Sequence, residues 1–196
     1  MMRTAQINRK TAETEIALKL NLDGSGKNQI ATGIGFFDHM LTQIAVHGLF
    51  DLEIDARGDL SVDTHHTIED VALALGLGFQ QALGEKIGIE RMGQALVPMD
   101  EALCQVVVDF SGRSYLVFDA EWQDPRVADI PVTLVEHFFY SFSMMAKATL
   151  HAQVLYGRDN HHKVEGLFKA LGRALKAAVA LDPRREKSIP SSKGVL

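Results

Sequence analysis

The chain has 196 residues, 46% hydrophobic and 23% charged, with a formal net charge of −5; this is the balance of a globular protein able to bury a core, not of a disordered or fibrous one. The acidic balance argues against a nucleic-acid partner, which needs a basic face, and the lack of a long apolar run or a charged-then-apolar leader leads us to expect no membrane association and a cytoplasmic location. Cys104 is the single cysteine, which excludes an intrachain disulfide and a cysteine-rich metal site, so any metal here must be held by histidines and carboxylates.

In chain order, residues 13–22 alternate apolar and polar from Glu15 to Leu22, as a half-buried strand does, and Asp23-Gly24-Ser25-Gly26 is a turn. Residues near 38–48 and 64–83 place apolar side chains at three- and four-residue spacing and are predicted to be helices, separated by a strand over 49–54. Strands are expected around 94–109 and 114–119, then a loop with Pro125 and Pro131, then helices near 132–149 and 161–180 flanking a strand at 152–156. The order is given twice. It predicts an α+β protein of two tandem units, 1–92 and 93–182, each with helices on one face of its sheet. No flexible linker separates them, and the polar stretch from Asp182 reads, by composition alone, as a disordered tail.

The doubling is explicit in the motifs. Asp63-Thr64-His65-His66-Thr67-Ile68-Glu69 answers to Asp159-Asn160-His161-His162-Lys163-Val164-Glu165 at an offset of ninety-six residues, which also relates Gly76 to Gly172 and Ala82 to Ala178. Upstream, Asp38-His39-Met40 matches Glu136-His137-Phe138 at an offset of ninety-eight. A two-residue difference in loop length between the halves would account for the slip.

Six of the eight histidines fall in these repeated motifs, a clustering that a lone packed or surface histidine would not produce and that points to metal binding. On a helix His65 and Glu69 share a face, as do His161 and Glu165, whereas His66 and His162 are turned about 100° from their neighbours. One helix should therefore feed two metals. With His39 and His137 these make eight ligands, or three histidines and one glutamate for each of two ions, a shell suited to Mn²⁺, Fe²⁺ or Zn²⁺.

These stretches, with Gly33-Ile34-Gly35-Phe36-Phe37-Asp38-His39 and the terminal Ser191-Ser192-Lys193-Gly194, resemble imidazoleglycerol-phosphate dehydratase over essentially the whole chain, in its single-function form. The resemblance implies a duplicated ribosomal protein S5 domain 2-like fold. It implies two Mn²⁺ per active site, one bound by His39, His66, His161 and Glu165 and the other by His65, Glu69, His137 and His162. It also implies that neighbouring subunits complete these sites in a homo-oligomer of twenty-four chains. Glu13, His65 and His161 would be the catalytic groups, with Glu13 as the acid–base. Gln43, His47, Arg91, Arg113, Lys169, Ser191, Ser192 and Lys193 would join Glu13 in binding the substrate and its phosphate, which makes residues 183–196 a substrate-binding tail.

The reaction so implied is loss of water from imidazole glycerol phosphate to give imidazole acetol phosphate in histidine biosynthesis, with the metal as Lewis acid and template. Two other readings fit a histidine and glutamate site: a two-metal hydrolase, and a non-catalytic protein whose ions only join subunits.

Overall fold

The computed structural model describes residues 3–185 and 188–196. In the first half, β1 (Thr4–Lys10) and β2 (Thr14–Asn21) form a hairpin, β3 (Asn28–Ala31) leads into α1 (Gly35–Gly48), and β4 (Asp51–Gly58) into α2 (His65–Leu83). The second half runs through β5 (Met92–Met99), β6 (Ala102–Asp109), β7 (Tyr115–Asp119), the short pair β8 (Arg126–Val127) and β9 (Ile130–Pro131), α3 (Thr133–Ala146), β10 (Thr149–Tyr156) and α4 (Asn160–Val179). The two four-stranded sheets have orders β1-β2-β4-β3 and β5-β6-β10-β7. Each ends on a parallel edge strand, β3 beside β4 and β7 beside β10, after two antiparallel pairings. The duplication is thus present as topology.

Alternation along the strands gives each sheet one apolar face. Strand β2 buries Thr14, Ile16, Leu18 and Leu20 while exposing Glu15 and Lys19, and β6 buries Ala102, Cys104, Val106 and Val108. Helix α2 covers β1, β2 and β4, and α4 covers β5, β6 and β10. Because α2 also packs on α3, and α1 on α4, the helices lie between the two sheets. They share one apolar cluster that runs from Ile7 to Val179, so both halves bury their surface in a single core.

Two repeat-related glycines set how closely the helices cross. A Cβ on Gly76 of α2 would stand 2.5 Å from the Phe142 carbonyl oxygen of α3, and one on Gly172 of α4 would stand 2.9 Å from the Ile44 carbonyl oxygen of α1. Only a residue without a side chain lets the backbones approach this far.

Several elements differ from the expectations. Strands β1 and β3 carry almost no apolar signal, since β1 buries only Ile7 and β3 no residue fully; main-chain pairing to β2 and β4 makes them strands. The strands expected around 94–109 form a hairpin, turned at Asp100 with φ 47. Helix α1 ends at Gly48 and α3 at Ala146 because Leu49 and Lys147 adopt left-handed backbone, φ 57 and 49.

The tail was expected to lack order from its composition, yet its described residues are tied down. Pro183–Arg185 form a 3₁₀ turn, Gly88 N donates to Ser188 O at 3.1 Å, and Arg91 Nη1 donates to Pro190 O at 2.9 Å. Glu186 and Lys187 lie outside the described residues. Among the described residues no helix is long and apolar enough to cross a membrane.

Candidate metal centre

His39 on α1 and His161 and Glu165 on α4 form a first group whose ligand atoms all lie within 4.8 Å of one another. Asp159 caps α4 by accepting from His161 N at 2.7 Å, which starts the helix in the register that stacks His161 over Glu165. His161 Nε2 and His39 Nε2 stand 3.0 and 3.2 Å from Glu165 Oε2, and Lys169 Nζ is 2.8 Å from the other carboxylate oxygen. Burial pushes the Glu165 carboxyl up, but the bonds from Lys169, His39 and His161 outweigh it and hold the group below its ordinary value. It is therefore a buried anion facing two imidazoles. Gln43 Nε2 lies 3.3 Å from His39 Nδ1. His47, one turn on, has its pKa lowered by burial and then by the charges of Lys169 and Arg173. Gln43, His47 and Lys169 thus gather at this first group.

A second group repeats the first with the other helix pair. His65 and Glu69 on α2 and His137 on α3 bring their ligand atoms within 4.8 Å, with His65 Nε2 3.9 Å and His137 Nε2 3.4 Å from the Glu69 carboxylate. His137 Nε2 is buried without a hydrogen-bond partner. A buried polar atom left so costs about 1–3 kcal/mol, a deficit that a bound cation would remove. Two imidazoles and a carboxylate, one imidazole nitrogen orphaned, fit a divalent transition metal.

His66 and His162 join neither group. The ring of His66 turns instead to Asp59, with Nδ1 3.0 Å from Asp59 Oδ2, and the ring of His162 turns to Glu101, with Nδ1 2.7 Å from Glu101 Oε2. These hydrogen bonds are the first cause of the raised pKa of each imidazole. Glu101 also accepts from the Asp159 and Arg158 amides at 2.8 and 2.9 Å; the Asp159 bond first, then His162, lowers its carboxyl to about 2. Glu13 stands in the β1–β2 turn, its Oε1 3.8 Å from His66 Nε2.

The remaining candidates collect elsewhere. Arg91 forms a two-pronged pair with Asp109, at 2.6 and 2.9 Å, and holds Pro190 O. Lys193 N donates to Ser191 Oγ at 3.2 Å, and a Cβ on Gly112 would stand 2.7 Å from the Leu196 carbonyl carbon, so the tail ends beside exposed Arg113. Ser192 is exposed in the same stretch. Arg91 N is bonded to Ala178 O near the end of α4, whereas His161 and Glu165 occupy its first two turns. At 1.5 Å per residue the two places are on the order of 20 Å apart along the helix. Within one chain the structure does not bring Arg91, Arg113 and the tail to the His39 group.

A family model for imidazoleglycerol-phosphate dehydratase matches residues 32–175, a stretch that holds both histidine groups. The chain belongs to the imidazoleglycerol-phosphate dehydratase family. It is 58% identical over 195 residues to the imidazoleglycerol-phosphate dehydratase of Lacticaseibacillus casei, covering 100% of both chains. Against that of Zymomonas mobilis it is 54% identical over 196 residues, again 100% of both. The crystal structure of the Staphylococcus aureus family member superposes with a TM-score of 0.83 at 35% identity, over 91% of this chain and 99% of that one. The Pyrococcus furiosus family member, solved as a ligand complex, gives 0.84 at 36%, over 97% and 100%. Family membership makes the chain a dehydratase of histidine biosynthesis and sets aside both the hydrolase and the purely assembling protein.

Sequence reasoning missed Asp59 and Glu101. Neither lies in a repeated motif. Glu101 could have been found as the residue just before β6, the counterpart of Glu13 just before β2.

Proposed function

We propose that the chain removes water from imidazole glycerol phosphate to give imidazole acetol phosphate, using two Mn²⁺ ions held by its two histidine and glutamate groups. What carries this reading is that the same donor set is built twice, each time from both repeats, His39 with His161 and Glu165 in one place and His137 with His65 and Glu69 in the other, while His66 and His162 remain outside with Nδ1 on a carboxylate. In this reading His66 of a neighbouring copy completes the first group and His162 of a neighbouring copy completes the second. The separation of Arg91, Arg113, Ser191, Ser192 and Lys193 from the His39 group along α4 favours the same arrangement, because the span exceeds what a three-carbon chain can bridge. Several copies would then build one site in a homo-oligomer, twenty-four chains by the family resemblance.

When bound, the ions supply Lewis acidity and a template at the substrate's imidazole. The protein's residues do the rest. Arg91, Arg113 and Lys193, with the hydroxyls of Ser191 and Ser192, hold the phosphate, and Gln43, His47 and Lys169 line the ring end. Holding the substrate at both ends removes its freedom before the chemistry begins. The C–O bond on the ring-bearing carbon breaks and hydroxide leaves with a proton as water. The neighbouring carbon gives up its hydrogen to the Glu13 carboxylate, and its electron pair forms the enol. The enol then takes a proton at the ring-bearing carbon and becomes the ketone.

The test is an assay of purified protein with imidazole glycerol phosphate, reading the ultraviolet-absorbing product, alongside metal analysis by mass spectrometry. Activity that follows Mn²⁺ content is expected. Full activity in protein free of transition metal would overturn the proposal.

A further inference from the structure

The two histidines outside the metal groups are held alike by residues that the duplication does not relate. Asp59 is the first residue after β4, in a six-residue connection to α2; the corresponding connection from β10 to α4 has only three residues, Gly157, Arg158 and Asp159. The second half therefore has glycine where the first has Asp59. Its carboxylate comes instead from Glu101, in the β5–β6 turn, immediately before β6. The residue immediately before β2 in the equivalent hairpin is Glu13, and Glu13 does not touch His66 Nδ1, which Asp59 already occupies. The same contact, a carboxylate on Nδ1, has thus been built twice from different places.

An imidazole whose Nδ1–H is donated to a carboxylate carries its lone pair on Nε2, and its ring can no longer turn freely. In the two cis groups the imidazoles are steadied by one another and by the glutamate they share. At Nε2, His66 and His162 have only Glu13 at 3.8 Å and Asp100 at 3.7 Å, both beyond hydrogen-bonding distance. We infer that Asp59 and Glu101 are positioning residues which brace His66 and His162 through Nδ1, so that each presents Nε2 as the metal ligand offered to a neighbouring copy. A consequence separates the two equivalent glutamates. Glu101, with 27% of its side chain exposed, is spent on the brace, while Asp59 relieves Glu13, 53% exposed, of that duty and leaves its carboxylate free to carry protons.

This rests on the metal-bridged reading above, and the experiment keeps the two apart by reading metal and tautomer without substrate. Asp59→Ala is compared with the unaltered protein by Mn²⁺ titration, by particle mass against Mn²⁺ concentration, and by ¹⁵N spectra of histidine-labelled, metal-free protein. We expect Mn²⁺ affinity at one of the two sites to fall about 10- to 100-fold, assembly to require correspondingly more Mn²⁺, and the His66 signal to move from the Nδ1–H tautomer to a mixture, with circular dichroism unchanged. Unchanged affinity together with an unchanged tautomer would overturn the inference. If Asp59→Ala does not fold, Asp59→Asn keeps the shape without the charge and is expected to weaken Mn²⁺ several-fold; wild-type affinity in that variant would be equally fatal. Glu101→Gln should act on the other site. Failure of the unaltered, metal-loaded protein to dehydrate imidazole glycerol phosphate would count against the proposed reaction and leave the metal and tautomer readings to stand or fall by themselves.

Discussion

Glu165 is a carboxylate whose pKa burial pushes up, and which Lys169, His39 and His161 hold below its ordinary value by pointing hydrogen-bonding atoms at it. Its counterpart Glu69 is more open, with 36% of its side chain exposed against 7%. The two groups should therefore respond separately to substitution. Glu165→Ala and His66→Ala are expected to lower metal content at one site, and Glu69→Ala and His65→Ala at the other, with the chain still folded; anomalous scattering from crystals of the variants distinguishes the sites, and equal loss at both in every variant would refute the pairing. Near Glu13 the constraint is structural. Thr14 Oγ1 donates to buried Asp70, which is also paired with Arg9 at 2.7 Å, and Thr11 Oγ1 accepts from Glu13 N at 3.1 Å. Thr14→Val removes a partner from a buried carboxylate and should cost about 1–3 kcal/mol, seen as a lower urea midpoint with an unchanged slope.

At the scale of elements, the helix crossings and the tail anchor carry the expectations. Gly76→Ala and Gly172→Ala each drive a Cβ into a carbonyl oxygen of the facing helix, and the backbones must part to admit it. Overpacking of this kind costs about 1–3 kcal/mol. Because each crossing also aligns a cis group, α2 with α3 and α1 with α4, Gly76→Ala should weaken metal at the His65 group and Gly172→Ala at the His39 group, measurable by thermal unfolding and metal titration together. The start of the tail is held at Asp182, whose amide donates to Gly88 O at 2.9 Å and whose carboxylate ties the first turn together by accepting from Arg184 Nε and the Arg184 amide, each at 2.9 Å. The Arg184 guanidinium, then its amide, bring the carboxyl from 3.8 down to about 2. A depressed folded value means that its contribution is full above the ordinary 3.8 and is lost as pH falls through about 2. Amide exchange over Ser188–Leu196 should accelerate across that window, and Asp182→Asn should show the faster exchange already at neutral pH; a tail equally protected in both would show that Asp182 does not anchor it.

For the whole molecule, the proposed sharing of ligands between copies would tie metal to assembly. If each ion is completed by a neighbouring copy, metal-binding free energy is also association free energy. Chelation is then expected to break the particle into smaller oligomers whose chains stay folded, since the apolar cluster that joins both halves lies within one chain. Light scattering before and after chelator, and again after Mn²⁺ is restored, follows the mass, with circular dichroism reporting the fold. A particle of unchanged mass with both sites shown empty would mean that the ions do not bridge copies.

The sequence by itself determined the duplication, the four helices and the strands with a strong period, because each of these rests on local spacing: two for a half-buried strand, three and four for a helix face, ninety-six between the histidine motifs. It also determined that His65 pairs with Glu69 and His161 with Glu165, since positions four apart on a helix must lie on one face. Tertiary structure decided what local spacing leaves open. Strands β1 and β3 exist through main-chain bonds to their neighbours and not through their own apolar content, and the described residues of the tail are held by contacts with Gly88 and Arg91 that its composition does not announce. The division of the six histidines into two cis groups and two outliers depends on how α1 crosses α4 and α2 crosses α3. The carboxylates on His66 and His162 were illegible for the same reason: Asp59 and Glu101 reach their imidazoles from seven and sixty-one residues away, distances along the chain that only the folded backbone closes.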